Sequence, residues 1–264
     1  MSDHKPNFVL VPDTDERSAT PNDGPRSIFY HLGALATAVR DAMLPIRREP
    51  RRADACVAAN DEPARPRLVF GFDATASREP AWATARQVTD ALVQALPGAL
   101  DVALAVHGGS RLHTFTAFTS DAGTLRDLAG GITCRAGHTR MLPILAGSLD
   151  RAGVRVATYI GDVFEESLGR GQKLADTMGS RGIKLIILHD TSDWNARRDA
   201  EIFQDLARRT GGCVLPFDAS APGRLRDLLA AVAVYAVGGR HLLEERLKQL
   251  PGAPTLLRHL DGQH

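Results

Sequence analysis

Five apolar runs of strand length, each followed by a helix-period segment or a turn, set the tightest limit on what this chain can become. They are LVFGF (68–72), VALAV (102–106), VRVATYI (154–160), KLIILH (184–189) and CVLPF (213–217). Near-continuous apolarity suits strands buried on both faces, as in a mostly parallel sheet with helices above and below. Between the runs, apolar residues recur at helical spacing. Trp82, Ala85, Val88, Leu92 and Leu96 precede Pro97-Gly98. Met141, Leu145 and Leu149 precede Gly153. Leu168, Leu174 and Met178 form a looser set. Ile202, Phe203, Leu206 and Ala207 precede Gly211-Gly212. Leu225, Leu228, Leu229, Val232 and Tyr235 precede Gly238-Gly239, and 241–249 reads as one more helix. One connection departs from this alternation. HGGSR after Val106, followed by Leu112, Thr114, Thr116 and Phe118, predicts a β-hairpin with one antiparallel edge strand. The expected fold is α/β: a doubly wound, mostly parallel six-stranded sheet with helices on both faces.

Residues 1–66 read differently, holding 8 of the 15 prolines. They predict a mostly disordered region with one amphipathic helix over 27–44, marked by Ile28, Leu32, Leu35, Val39 and Met43. The RREPRR run (47–52) reads as a solvated linker. The domain proper is expected over 67–239, with a C-terminal helical extension over 240–264. Lys and Arg total 32 against 31 Asp and Glu, a balance that argues against a dedicated nucleic-acid binder. The longest apolar runs fall short of the roughly 18 residues of a membrane span. The polar N-terminus does not read as a signal peptide, and Cys56, Cys134 and Cys213 lack disulfide or zinc spacing. A cytoplasmic location is the expectation.

In an open parallel sheet, ligands bind beyond the carboxyl ends of the strands. After the first run comes DATAS, which alternates Asp73, Thr75 and Ser77. Thr139 lies in GHTRM before a helix, and Asp162 follows the fourth strand in GDVFEE. Capping a helix accounts for one of the three residues in DATAS but not for their alternation. Hydroxyls and carboxylates are hard oxygen donors suited to Mg²⁺ or Mn²⁺. Glu165 and Glu166 are expected in solvent at a helix start; the alternative is that one of them approaches the ion, weakening outside ligands and making the site closed and mainly structural. His107, His113 and His138 are expected to be surface or satisfied histidines. Asp190 and Asp193 read as turn chemistry, and Trp194 as a residue covering the core.

This constellation resembles the von Willebrand factor A (VWA) domain and its metal-ion-dependent adhesion site. That site has a D-x-S-x-S loop after the first strand, a threonine in a later loop and an aspartate after the fourth strand. The resemblance spans roughly 67–239, with Thr75 in place of the first serine and Asp162-Val163 in place of a frequent Asp-Gly. It implies direct metal contacts from Thr75, Ser77 and Thr139. Asp73 and Asp162 would act largely through water, leaving one position open for a partner's acidic residue. It further implies a protein partner, of the ATPase or chaperone-complex kind, and no enzymatic activity. Two alternatives stand beside this reading. One is a metal-independent scaffold docking through its terminal helices. The other is a Mg²⁺-dependent phosphoester hydrolase with Asp73 as nucleophile, although Thr75 stands where haloacid-type phosphatases carry their second Asp.

Overall fold

The computed structural model describes residues 65–190 and 197–262. The readings for 1–64, including Cys56 and the 27–44 helix, lie outside the described residues, as do Asp193 and Trp194. Six strands form one sheet: β1 (Arg67–Asp73), β2 (Asp101–Gly108), β3 (Arg111–Phe115), β4 (Val154–Gly161), β5 (Lys184–Asp190) and β6 (Cys213–Phe217). Their order is β3-β2-β1-β4-β5-β6. All neighbours are parallel except β2 and β3, which form the expected antiparallel hairpin. The helices are α1 (Glu79–Val88), α2 (Ala91–Gln94), α3 (Ala122–Gly130), α4 (Leu142–Leu149), α5 (Leu168–Ser180), α6 (Ala200–Arg209), α7 (Pro222–Glu245) and α8 (Ala253–Asp261), with a 3₁₀ turn at Ala76–Arg78.

Strand periodicity explains the two-faced core. Along β1, Leu68, Phe70 and Phe72 face a cluster with Trp82, Leu92, Leu125 and Leu229. Val69 faces the opposite cluster, with Ile144, Leu145, Met178 and Phe203. Successive strand residues point to opposite faces, so a run apolar at every position fills both layers. Each fully buried Leu or Phe contributes about 1.5–3 kcal/mol relative to exposure.

Two details differ from the sequence reading. The helix expected through Leu96 breaks after Val88. Thr89 Oγ1 turns back to donate to the Ala85 carbonyl at 2.8 Å, and the Asp90 carboxylate accepts from Gln94, Arg126 and Arg226. The hairpin strand stops at Phe115 rather than Phe118. As expected, the Gly238-Gly239 pair separates two helical segments, which α7 joins across a kink with Gly239 at φ 64° and ψ −155°. Beyond the kink, Leu243 and α8 residues Leu256, Leu257 and Leu260 join the same core as α7.

Chain order places β1 beside β4, and the connections leave these two strands toward opposite sides of the sheet. That is the switch point at which an open α/β sheet forms a crevice at its carboxyl edge. Asp73 ends β1, Asp162 follows β4, and Asp190 ends β5. Three acids therefore stand on three adjacent strand ends.

Candidate functional site

Asp73 lies opposite His107 in the β1–β2 register and is fully buried. Its Oδ1 accepts from the Thr75 N–H at 2.9 Å, an Asx turn that fixes the start of the DATAS loop. Its Oδ2 is buried and, among the described residues, has no hydrogen-bond partner. A buried carboxylate oxygen left unsatisfied is costly. Burial, reinforced by the Asp162 charge, pushes the carboxyl up to about 7, against the pull of the Thr75 N–H and of Arg78.

The two hydroxyls of the loop do not cap helices. Thr75 precedes the 3₁₀ turn and Arg78 precedes α1, both without a side-chain cap bond. Thr75 Oγ1 and Ser77 Oγ instead lie 3.4 Å apart, Thr75 buried and Ser77 open to solvent. The loop is braced from both sides. The Ala74 carbonyl accepts from the Arg135 N–H at 2.8 Å, and the Ala74 N–H donates to the His107 carbonyl at 2.8 Å. Gly108 is needed at the end of β2, because a Cβ there would stand 2.5 Å from the Ala74 carbonyl oxygen.

Thr139 comes to this edge on the 131–141 loop, which docks on the β2–β3 turn. Gly109 N–H donates to the Arg135 carbonyl, and His138 N–H donates to Ser110 Oγ at 2.9 Å. Gly137 has φ 150°, and a Cβ on it would lie 2.5 Å from Gly109 Cα and Ser110 N. The next residue after Thr139, Arg140, donates its N–H to His107 Nδ1 at 3.3 Å, and that same Nδ1 lies 3.7 Å from Asp73 Oδ1. Burial, with His113 and the Arg140 charge nearby, lowers His107 to about 3. The imidazole is therefore neutral, and its contact with Asp73 is not an ion pair. With Nδ1 accepting, the proton sits on Nε2, which reaches Tyr159 Oη at 2.9 Å. His107 thus joins the Asp73 and Thr139 loops from beneath, as a buried and satisfied histidine. Cys213 is buried as expected, whereas Cys134 is only partly so.

The structure brings Asp73, Thr75, Ser77, Thr139 and Asp162 to one edge, and adds residues that the motif does not name. Arg78, almost wholly buried, reaches from the DATAS loop to Asp162 Oδ2 at 3.4 Å and Asp190 Oδ2 at 2.7 Å. Asp190 is therefore part of this edge and not simple turn chemistry. The expectation for Glu165 and Glu166 holds in part: Glu165 is exposed and Glu166 half-buried, but both bond to the segment that leads into α4. Glu165 Oε2 accepts from the Thr139 N–H at 2.8 Å and lies 3.3 Å from Thr139 Oγ1, while its Oε1 lies 3.2 Å from His138 Nδ1. Partial burial raises the Glu165 carboxyl, but the Thr139 and His138 bonds outweigh it and leave it below the ordinary range. Glu166 Oε2 accepts from the Leu142 N–H at 2.8 Å, and burial holds its carboxyl above the ordinary range despite that bond. Glu166 serves the start of α4 and Glu165 the loop before it. For Glu166 that is the helix-terminus logic expected of it, applied to a different helix.

Among the described residues, no three His, Cys, Asp or Glu side chains gather as a metal-ligating set. The donor set at this edge is of another kind: an orphaned carboxylate oxygen with hydroxyls from two loops. That chemistry fits a hard, oxygen-seeking cation.

No protein-family model matches the chain, and no curated protein matches it in sequence. Solved structures do match its fold. A von Willebrand factor type A protein from Catenulispora acidiphila aligns at 15% identity over 64% of this chain and 43% of its own, with a TM-score of 0.54. The open conformation of the pilus adhesin SpaC from Lactobacillus rhamnosus GG aligns at 11% identity over 66% of this chain and 30% of its own, with a TM-score of 0.52. Proximal thread matrix protein 1 from the mussel byssus, with a zinc-occupied MIDAS motif, aligns at 11% identity over 64% of this chain and 46% of its own, with a TM-score of 0.51. In each case the match spans less than half of the other chain. At these identities the likeness is one of fold.

Proposed function

We propose that this chain, which has the VWA fold, is a divalent-cation-dependent protein-docking module. Thr75, Ser77 and Thr139 would supply hydroxyl ligands to Mg²⁺ or Mn²⁺. Asp73 and Asp162 would balance its charge, largely through water. When bound, the ion supplies an electrophilic position for a carboxylate of the partner. The observation that carries this reading is Asp73 Oδ2, buried and unpartnered among the described residues, beside two loop hydroxyls that cap nothing. The solved neighbour with a zinc-occupied MIDAS supports it.

The reading assigns this chain no catalytic step and a cytoplasmic, multiprotein setting with an ATPase or chaperone-type partner. Among the described residues no helix is long and apolar enough to cross a membrane. A second reading draws on Arg78. Its guanidinium already engages Asp162 and Asp190, so a scaffold without metal would keep this edge partly compensated.

Thermal unfolding with Mg²⁺ or with chelator tests the first against the second. A ligand at about 100 times its Kd stabilises by about 2.7 kcal/mol. Under the proposal Mg²⁺ raises the Tm of the wild type, and Asp73→Ala abolishes the rise. Equal melting of the wild type with Mg²⁺ and with chelator favours the scaffold. Hydrolysis of a generic phosphoester in the presence of Mg²⁺ would favour the enzyme instead.

A further inference from the structure

Beside the Thr139 loop, a groove of about 560 Å³ opens between the β2–β3 turn, the start of α4 and α5. Four cations line it: Arg111 from β3, Arg140 next to Thr139, and Arg170 and Lys173 from α5. Arg140 is held in place, donating from Nε to the Ser110 carbonyl at 3.1 Å and standing 4.0 Å from Glu166. Arg111, Arg170 and Lys173 are exposed, and of the three Arg170 acts electrostatically on Glu166. Glu166 is the one acid in the lining, and it is committed to the Leu142 N–H. The floor is aliphatic: Leu112, Leu142, Pro143 and Leu174.

Four cations against the single Glu166 leave the groove with an excess of positive charge, and an anionic ligand relieves the repulsion among them. The lining contains no aromatic ring on which a base could stack. Its floor suits aliphatic side chains instead. Position decides the rest. Arg140 and Glu166 of the groove are the chain neighbours of Thr139 and Glu165, so the groove begins where the candidate cation site ends.

We propose that this groove receives an extended acidic segment of the protein partner, with aliphatic residues among its acids. One carboxylate of that segment would reach the cation site, while the following acids lie against Arg111, Arg170 and Lys173. The inference rests on the docking reading for its anchoring acid. The groove itself is assigned on charge and shape.

The test is selection of random 12-residue peptides, displayed on phage, on the full chain in Mg²⁺. The strongest enriched peptide is then measured by fluorescence anisotropy. Expected are enriched sequences with an excess of Asp and Glu and interspersed Leu, Ile or Val. The triple variant R111E/R170E/K173E, at three exposed positions, should bind that peptide at least tenfold more weakly. Binding to the wild type should also weaken steadily as NaCl rises from 50 to 500 mM, since exposed charge pairs are screened. Chelator separates the two claims. Loss of binding in chelator with no effect of the triple variant overturns the groove and leaves the cation reading standing. Binding that survives chelator yet fails in the triple variant upholds the groove and counts against the cation. No enrichment, enrichment without acidic excess, or displacement of the peptide by a single-stranded oligonucleotide at lower concentration than by free acidic peptide overturns the proposal.

Discussion

At the scale of single residues, the edge is held by charges that the motif does not name. Arg78 is the clearest. Removing one partner of a buried ion pair leaves the other uncompensated and costs about 3–5 kcal/mol. Arg78 is nearly buried between Asp162 and Asp190. Arg78→Ala is therefore expected to lower stability by about 3 kcal/mol, read from the urea midpoint at unchanged m-value. A shift below about 0.5 kcal/mol, the range of ordinary surface substitutions, would contradict the buried role. Thr139 makes the complementary case. Its backbone N–H holds Glu165, so Thr139→Val keeps the loop bonded while deleting the hydroxyl. Mg²⁺ affinity by calorimetry should fall on the order of tenfold, or about 1.4 kcal/mol, with the melting temperature in chelator nearly unchanged. Thr139→Ser should retain the affinity. Sequence reasoning could bring five oxygen-bearing residues to one edge because alternation and position beyond a strand end are local signals. It missed Arg78 and the Glu165–Thr139 bond, whose partners lie 84 and 26 positions apart. One signal was available: Asp162 and Asp190 stand at the ends of neighbouring parallel strands, and such a pair needs a cation between them.

At the scale of elements, the strands were legible and their terminations were not. β6 matches its apolar run residue for residue, because burial on both faces leaves an unbroken signal. The break between α1 and α2 depends on the back-bond of Thr89 and on Asp90 gathering Arg126 and Arg226 from distant helices, which helical periodicity cannot register. α3 offered little pattern, with Leu125 and Ala129 buried and Leu128 exposed. The 131–141 loop is held on the hairpin by the bare Gly137 contact. Gly137→Ala is expected to destabilise by about 1–3 kcal/mol through clash and backbone strain and to weaken Mg²⁺ binding, since it displaces the segment that carries Thr139. Calorimetry and urea unfolding of the same variant would show whether both effects appear. α8 supplies a pH prediction. Half-burial, with Arg258 nearby, lowers His259 below its ordinary value of 6.5, against the opposing bond to Val214. The unfolded chain therefore takes up a proton near pH 6.5 that the folded chain resists, so the His259 contribution to stability is present above that pH and is lost as pH falls below it. His259→Gln should flatten the decline in stability between pH 7.5 and 5.5. An unchanged slope would remove the assignment.

At the scale of the molecule, six mostly parallel strands and a single antiparallel edge strand were legible in the pattern, because runs apolar at every position suit a sheet covered on both faces, whereas the order β3-β2-β1-β4-β5-β6 was not. The sequence could also place the site at the carboxyl edge, since the β1–β4 switch point is a property of topology rather than of side chains. The state of that edge could not be read in advance. Whether an acid there stands free, caps a helix or meets an arginine is decided by loops that fold onto one another from far apart in the chain. Electron paramagnetic resonance titration of Mn²⁺ into the metal-free chain asks directly whether Asp73, Thr75 and Ser77 gather an ion. The account predicts one bound Mn²⁺ per chain in the wild type, displaced by Mg²⁺, and none in Asp73→Ala of unchanged circular dichroism. A wild type that leaves all added Mn²⁺ free, or an Asp73→Ala that binds it equally well, would contradict it.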